Sequence, residues 1–156
     1  MTSIALLARV CLVVLFPLSG LDKIVPWGAA MKQATSAPIG GARFMLIAAI
    51  AVELSTPVCI VGDWHAAIAA LVLATFCLIT ALLFHPFWHF PGFWSGANPE
   101  GAAHFWDFLK NLGLAGGLLL VVVTSTVAAP RSETPHAAAS LSQTTITTGW
   151  IMHHTP

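Results

Sequence analysis

Four long apolar runs divide the sequence, and each is close to the length at which a helix crosses a bilayer. A helix needs about 20 predominantly apolar residues to span the hydrocarbon core. The runs lack the alternation of apolar and polar positions that marks the strands of a membrane barrel. The pattern therefore predicts an all-α fold, an integral membrane four-helix bundle with spans over residues 4–21, 44–62, 66–84 and 105–128.

The connections between the spans differ in length, which makes the predicted bundle asymmetric. Residues 62–65 form a tight turn (GDWH), so spans two and three are antiparallel neighbours. The other two connections are long, and the first has room for a short interfacial helix around residues 28–35. With four spans, both long connections lie on one side of the membrane, and the termini share the other side with the tight turn.

Composition supports the membrane assignment and excludes other classes. Hydrophobic residues make up 57% of the chain and charged residues 8%, with a mean hydropathy of +0.84, whereas about a quarter of a soluble domain is charged. A formal net charge of zero gives no basic surface for nucleic acid. Arg9 inside the first run predicts a retained helix rather than a cleaved signal peptide. The three cysteines lie in predicted spans without a CxxC pair, so we expect them to fill the core.

The chain divides into two parts by composition. Residues 1–128 form the four-transmembrane-helix domain, and residues 129–156 form a Ser/Thr/Pro-rich C-terminal tail. The tail has too few apolar residues to build a second domain.

A glutamate, Glu53, stands near the middle of the second span. A charge inside a bilayer is costly, so such residues face the bundle interior and pair with a partner. Arg9 and Lys23 lie on one stripe of the first span, about 20 Å apart at 1.5 Å per residue. Counted from the tight-turn surface, Glu53 lies about 13 Å deep and Arg9 about 8 Å deep. We predict Arg9 as the first partner of Glu53 and Lys23, reaching from the opposite side, as the second.

More polar residues collect at the long-connection ends of the spans. His85 follows a stripe of small residues on the third span, and Lys110 and Asn111 lie about one turn into the fourth. Gly113 and Gly117 form a GxxxG pair on that span, which permits close helix contact. We predict a polar cluster above Glu53, beneath a roof of loop tryptophans and phenylalanines, that contains Asp22, Lys23, His85, His89, His104, Lys110 and Asn111.

Each polar residue also has a simpler interpretation. Lys23 and Lys110 lie near span ends, where lysines commonly extend to the interface as topology anchors. Glu53 is either a structural ion pair or a residue that handles ligand or protons. We expect no metal or haem, because the loop prolines disturb the register that would align the histidines.

Four segments together resemble a known family. In order, LFPLSGLDKI, AVELSTPVCIVG, ALLFHPFW and FLKNLGLAGGLLL are similar to the DoxX family of small bacterial four-helix membrane proteins, over about residues 5–125. The aromatic insertion HFPGFWSGANPEG and the tail lie outside the pattern. Because the family is linked to the DoxD subunit of thiosulfate:quinone oxidoreductase, the resemblance implies a quinone-facing membrane subunit. It also implies a shared polar set, which comprises Arg9, Lys23, Glu53, His85, Lys110 and Asn111.

Three functions remain open at this point. The first is a quinone-binding redox subunit without a covalently bound cofactor, whose electrons come from a partner and whose quinone carbonyls accept hydrogen bonds from His85 or Lys110. The second is a non-catalytic accessory subunit, a scaffold in a larger respiratory or photosynthetic membrane complex. The third is a small proton-linked transporter with Glu53 as the coupling carboxylate, although no inverted repeat supports it.

All three functions place the chain in the lipid bilayer of a bacterial inner membrane, as a multi-pass protein. The lysines and arginines near the span ends lie mostly on the long-connection side. Because positive residues favour the cytoplasmic side, we predict that the long connections are cytoplasmic.

Overall fold

The computed structural model describes residues 2–37, 40–95 and 97–127, whose regular structure is entirely helical. Four segments, Ser3–Ile24, Ala42–Val61, Ala66–His89 and Pro99–Val127, are long and apolar enough to cross a membrane. The predicted all-α four-span architecture is therefore confirmed, while residue 128 and the predicted tail lie outside the described residues. The helices are α1 (Ser3–Val13), α2 (Leu15–Ile24), α3 (Trp27–Ser36), α4 (Ala42–Val61), α5 (Ala66–Phe84) and α6 (Pro99–Val127), with a short 3-10 helix over Phe87–His89.

The first span is divided into α1 and α2 at Val14, which the apolar pattern did not predict. Pro17 lacks the backbone N–H that would bond to the carbonyl of Val13, four residues earlier, so the helical hydrogen-bond ladder is interrupted there. Beyond the break, Gly20 is buried against α4: a Cβ at this position would lie 3.1 Å from Leu54 Cδ2 and 3.4 Å from Glu53 Cβ. This small residue lets α2 approach the glutamate closely.

The core lies along α5, which packs between α4 and α6. Leu73 and Cys77 of α5, Ile60 of α4 and Leu118 of α6 are fully buried. Of the cysteines predicted to fill the core, Cys77 is buried there and Cys59 packs partly against it. Cys11 is exposed on the outer surface of α1, so that part of the prediction is wrong.

The connections follow the predicted asymmetry with shifted helix ends. The tight turn after α4 is confirmed, and both Asp63 and His65 adopt left-handed backbone angles to close it (φ of 57° and 49°). The predicted interfacial helix is present as α3, which packs Ala30 and Ala34 against Leu46 of α4. Since the spans alternate in direction, α3 and the 3-10 helix lie at the end opposite to the tight turn.

The fourth span begins six residues before its predicted start. The Asn98 side-chain oxygen accepts a hydrogen bond from the Gly101 backbone N–H at 3.0 Å, and Pro99 occupies the first helical position. An asparagine cap followed by proline is a strong start signal. The earlier start adds about one and a half turns of helix, residues 99–104, before the apolar part of α6.

Only half of the predicted glycine pair on α6 makes a close helix contact. A Cβ on Gly117 would lie 2.8 Å from Leu12 Cδ1 of α1, whereas nothing lies within 4 Å of a Cβ on Gly113. The first span meets α6 near Gly117 and then turns toward α4 along α2, so Gly113 has no helix opposite it.

Candidate functional site

A cavity of about 570 Å³ lies between the helices at the long-connection end of the bundle. Its lower wall is apolar, with residues such as Phe16, Val52 and Phe76, and α3 contributes to its upper wall. Five of the six predicted site residues line it, and Arg9 does not. The polar residues that line the cavity are Ser19, Asp22, Lys23, Gln33, Glu53, Thr80, His85, Lys110 and Asn111.

At the inner end of this polar group, Glu53 forms an ion pair with Lys23. The glutamate is 3% exposed, and the Lys23 Nζ lies 2.9 Å from both of its carboxylate oxygens. The Ser19 hydroxyl donates to Glu53 Oε1 at 3.1 Å and accepts from Lys23 at 2.7 Å. These contacts use all three N–H donors of the ammonium group. The buried carboxylate therefore keeps a full set of partners.

The predicted order of partners for Glu53 is wrong, because Arg9 pairs elsewhere. Its Nη1 donates to the Ile60 carbonyl at 3.0 Å and to the Asp63 carboxylate, and its Nη2 donates to the Ser125 hydroxyl at 3.3 Å. Arg9, Asp63 and Ser125 line a separate groove at the tight-turn end. A long side chain near a helix end extends toward the closer surface, and there the turn supplies Asp63 as a carboxylate.

A second polar group surrounds Asp107 on α6, near the mouth of the cavity. The carboxylate accepts a hydrogen bond from Lys110 at 2.7 Å and lies 3.9 Å from His85 Nδ1. His85 Nδ1 also lies 3.4 Å from His104 Nδ1. The Asn111 amide donates to the backbone carbonyl of Asp107 at 2.9 Å. Asp107 thus lies between the polar residues that α5 and α6 bring to the cavity.

Sequence reasoning missed Asp107, Ser19 and Gln33. For Asp107 a signal was present, because a carboxylate three residues before Lys110 lies on the same helix face. Ser19 lies one turn before Lys23, at the spacing that lets two side chains meet on one face. Gln33 gave no such signal, since it reaches the cavity only because α3 folds back over the end of the bundle.

The aromatic rings of the second long connection do not form the predicted roof. Phe87 packs edge-on against Phe93, Phe105 and Phe108, with ring centroids 5.2 to 5.3 Å apart. This aromatic cluster lies beside the cavity and contributes no residue to its wall. In place of the roof, Ala30, Gln33 and Ala34 of α3 line the upper end.

The other two predicted histidines lie outside the cavity wall. His89, on the 3-10 helix, is exposed and accepts a hydrogen bond from Trp88 Nε1 at 3.1 Å. His104 stacks on Phe90, with centroids 5.0 Å apart, and reaches the site only through His85. Within residues 2–37, 40–95 and 97–127, no three histidine, cysteine or acidic side chains are grouped so that they could hold a metal ion.

The fold is a bundle of four spans with the buried Lys23–Glu53 ion pair in one half and a cavity at the long-connection end. These features define a small polytopic membrane protein. The DoxX family profile matches residues 4–86. The chain belongs to the DoxX family, as the resemblance of its motifs predicted. The matched range includes Lys23, Glu53 and His85, whereas Asp107 and Lys110 lie beyond it.

Two proteins of Escherichia coli strain K12 are similar to the chain over most of their length. Inner membrane protein YqjF is 34% identical over 119 residues, which cover 76% of this chain and 82% of YqjF. Inner membrane protein YphA is 30% identical over 121 residues, which cover 76% of this chain and 81% of YphA. No solved structure is significantly similar to the chain.

Proposed function

We propose that this protein is a quinone-facing subunit of a bacterial inner membrane, which binds a quinone head group in the cavity and works with a redox partner protein. The observation that carries the proposal is the cavity itself, polar at the long-connection end and apolar toward the bilayer centre. Its volume of about 570 Å³ falls within the usual range for small-molecule sites. A quinone has a polar ring and an apolar tail, so it needs both kinds of wall.

We infer that the cavity also opens toward the lipid-facing surface, which the apolar tail of a quinone requires. Leu15, Phe44 and Ile79 line the cavity, yet they are 45%, 78% and 50% exposed. This combination is expected where a cavity opens sideways between helices. A tail could therefore extend into the bilayer while the ring occupies the polar end.

The charge arrangement supports a neutral head group rather than an anion. Glu53 and Lys23 compensate each other, and Lys110 is compensated by Asp107. An anionic ligand would have to displace a carboxylate from one of these lysines, whereas a neutral ring with oxygen substituents can hydrogen-bond beside the pairs. Quinone reduction takes up two electrons and two protons, and in this function a partner protein supplies the electrons. The names of both relatives, inner membrane proteins, support the membrane location.

The test fills the cavity without changing its charge. Ala49 of α4 lines the cavity, whereas Ala51 on the same helix is exposed and does not. Binding of decylubiquinone is measured by the quenching of tryptophan fluorescence. We expect the purified wild-type protein to bind it, and the Ala49→Phe variant to bind it at least tenfold more weakly. The matched Ala51→Phe variant should bind like the wild type.

Organic extraction of the purified protein adds an independent readout. We expect quinone to copurify with the wild-type protein and to be depleted in Ala49→Phe. If the protein instead carries no quinone, binds none and copurifies with a stoichiometric set of membrane subunits, the scaffold function replaces this proposal.

A further inference from the structure

His85 carries chemistry that the ion pairs of the site do not use. It caps the C-terminal end of α5 and lines the cavity. Its Nδ1 atom faces two neighbours on α6, Asp107 Oδ2 at 3.9 Å and His104 Nδ1 at 3.4 Å. Among the residues that the structure describes, its other ring nitrogen, Nε2, has no hydrogen-bond partner. That atom is available to a ligand.

The neighbours of Nδ1 determine which nitrogen of His85 holds the proton. A neutral imidazole has one N–H donor and one acceptor nitrogen. A carboxylate beside one nitrogen favours the proton at that nitrogen. In the described part of the chain, Asp107 lies within 4 Å of His85 and makes no such contact with His104. This arrangement favours the proton at Nδ1 of His85, with His104 Nδ1 as an acceptor, and then Nε2 of His85 keeps a free lone pair.

The deeper donors around the cavity are already occupied. Lys23 uses its three N–H groups on Glu53 and Ser19, and the Ser19 hydroxyl donates to Glu53. Asn111 donates to the Asp107 carbonyl, while its side-chain oxygen has no partner among the described residues. In the part of the chain that the structure describes, His85 Nε2 and Asn111 Oδ1 are thus acceptors without a partner at this end of the cavity, beside Lys110, which donates one of its three N–H groups to Asp107.

We propose that the cavity binds the reduced, hydroxyl-bearing form of its ligand in preference to the oxidised form, with a quinol O–H donating to His85 Nε2. The inference rests on the proposed function and names the redox form that the site selects. A quinol hydroxyl donates a hydrogen bond, whereas a quinone carbonyl only accepts one, so the carbonyl would leave the His85 lone pair unpaired. Asp107 acts as a positioning residue, because it fixes the tautomer of His85 without touching the ligand.

The tautomer can be measured without any ligand. Nitrogen-15 NMR of histidine-labelled protein in nanodiscs distinguishes the two ring nitrogens, and we expect His85 to be protonated at Nδ1 in the wild type. The Asp107→Asn variant should lose this preference, while His89→Gln, which alters an exposed histidine of the same connection, should leave it unchanged. A wild-type His85 protonated at Nε2 would overturn the inference.

The binding preference is tested with the two forms of one probe. Under anaerobic conditions we expect purified protein to bind decylubiquinol at least tenfold more tightly than decylubiquinone. For a two-electron couple, each factor of ten corresponds to a rise of about 30 mV in the midpoint potential of the bound probe. His85→Phe and Asp107→Asn should lose the preference, and His89→Phe should keep it.

The outcomes separate this inference from the function on which it rests. Equal or tighter binding of decylubiquinone would overturn the preference for the reduced form and leave the quinone site standing. Binding of neither form would remove the quinone site, and the inference with it.

Discussion

At the scale of single residues, Glu53 shows how a carboxylate is accommodated deep in a membrane span. Its two oxygens share one ammonium group and one hydroxyl, all within 3.1 Å. Both partners come from α2, which Gly20 holds close to α4. Desolvation of the two charges is offset only while both are present, so loss of one partner leaves the other uncompensated.

Replacement of Glu53 should therefore destabilise the protein in a way that depends on Lys23. We expect Glu53→Gln to lower the free energy of unfolding by about 3 kcal/mol, the usual cost of breaking a buried pair. The double variant with Lys23→Met should cost clearly less than the sum of the two single changes, because paired residues couple. Unfolding of the detergent-purified variants by heat or denaturant gives these values.

Arg9 provides the control for that measurement. Arg9→Met should destabilise by breaking the contacts to Asp63 and Ser125, but its effect should add simply to that of Glu53→Gln, since the two sites share no partner. Additive effects of Glu53→Gln and Lys23→Met, or coupling between Glu53 and Arg9, would contradict the pairing in the structure.

The choice of partner marks the limit of sequence reasoning at this scale. Counting residues gave the depths of Arg9, Lys23 and Glu53, and it indicated correctly that Glu53 is buried and paired. It could not give the direction in which a long side chain extends, because that depends on acceptors from other elements. Asp63 on the turn attracts Arg9, and the Ser19 hydroxyl helps to hold Lys23 on Glu53.

At the scale of helices, the start of α6 and the aromatic cluster depend on each other. Gly101 is buried in the first turn of α6, where a Cβ would lie 2.5 Å from Phe90 Cβ and 2.9 Å from Phe93 Cβ. Real Cβ atoms do not approach so closely, and both neighbouring atoms are Cβ atoms, which cannot move without the backbone. Only glycine allows the second long connection to pack against this turn.

A methyl group at position 101 should therefore separate the connection from the helix. We expect Gly101→Ala to destabilise by about 1–3 kcal/mol through overpacking, although alanine favours helix elsewhere. Gly116→Ala on the same helix is the matched control: nothing lies within 4 Å of its added Cβ, so it should be neutral or stabilising. Equal thermal stabilities of the two variants would show that the aromatic cluster does not pack as described.

Helix positions were predictable wherever apolar pattern alone decides them. The span 66–84 matches α5 at both ends, and the interfacial helix differs from α3 by one residue at each end. The errors occur where a polar cap or a proline acts. Asn98 and Pro99 start α6 before its apolar run, and Pro17 divides a first span that hydropathy alone reads as continuous.

At the scale of the whole molecule, the two ends of the bundle differ in structure. The long-connection end contains the cavity, α3 and the groups around Asp107. At the tight-turn end, hydrogen bonds of the Arg9 side chain link α1 to the turn and to α6. The side of the membrane on which the cavity mouth lies thus depends on the orientation of the protein.

The distribution of lysine and arginine predicts that the long connections face the cytoplasm. In a variant without the native cysteines, a single cysteine at the exposed Ser95 should react with an impermeant thiol reagent only after the cells are opened. A cysteine at Trp64, in the tight turn, should react in intact cells. The reverse labelling pattern would place the cavity mouth on the outer side.

The break at Val14 gives the two halves of the first span separate attachments. Arg9 fixes α1 to the turn and to α6, while Lys23 fixes α2 to α4. Leu15, Phe16 and Ser19, which form one side of the cavity, all belong to the second half. A change in the tilt of α2 would therefore reshape the cavity while Arg9 keeps its contacts at the opposite end of the bundle.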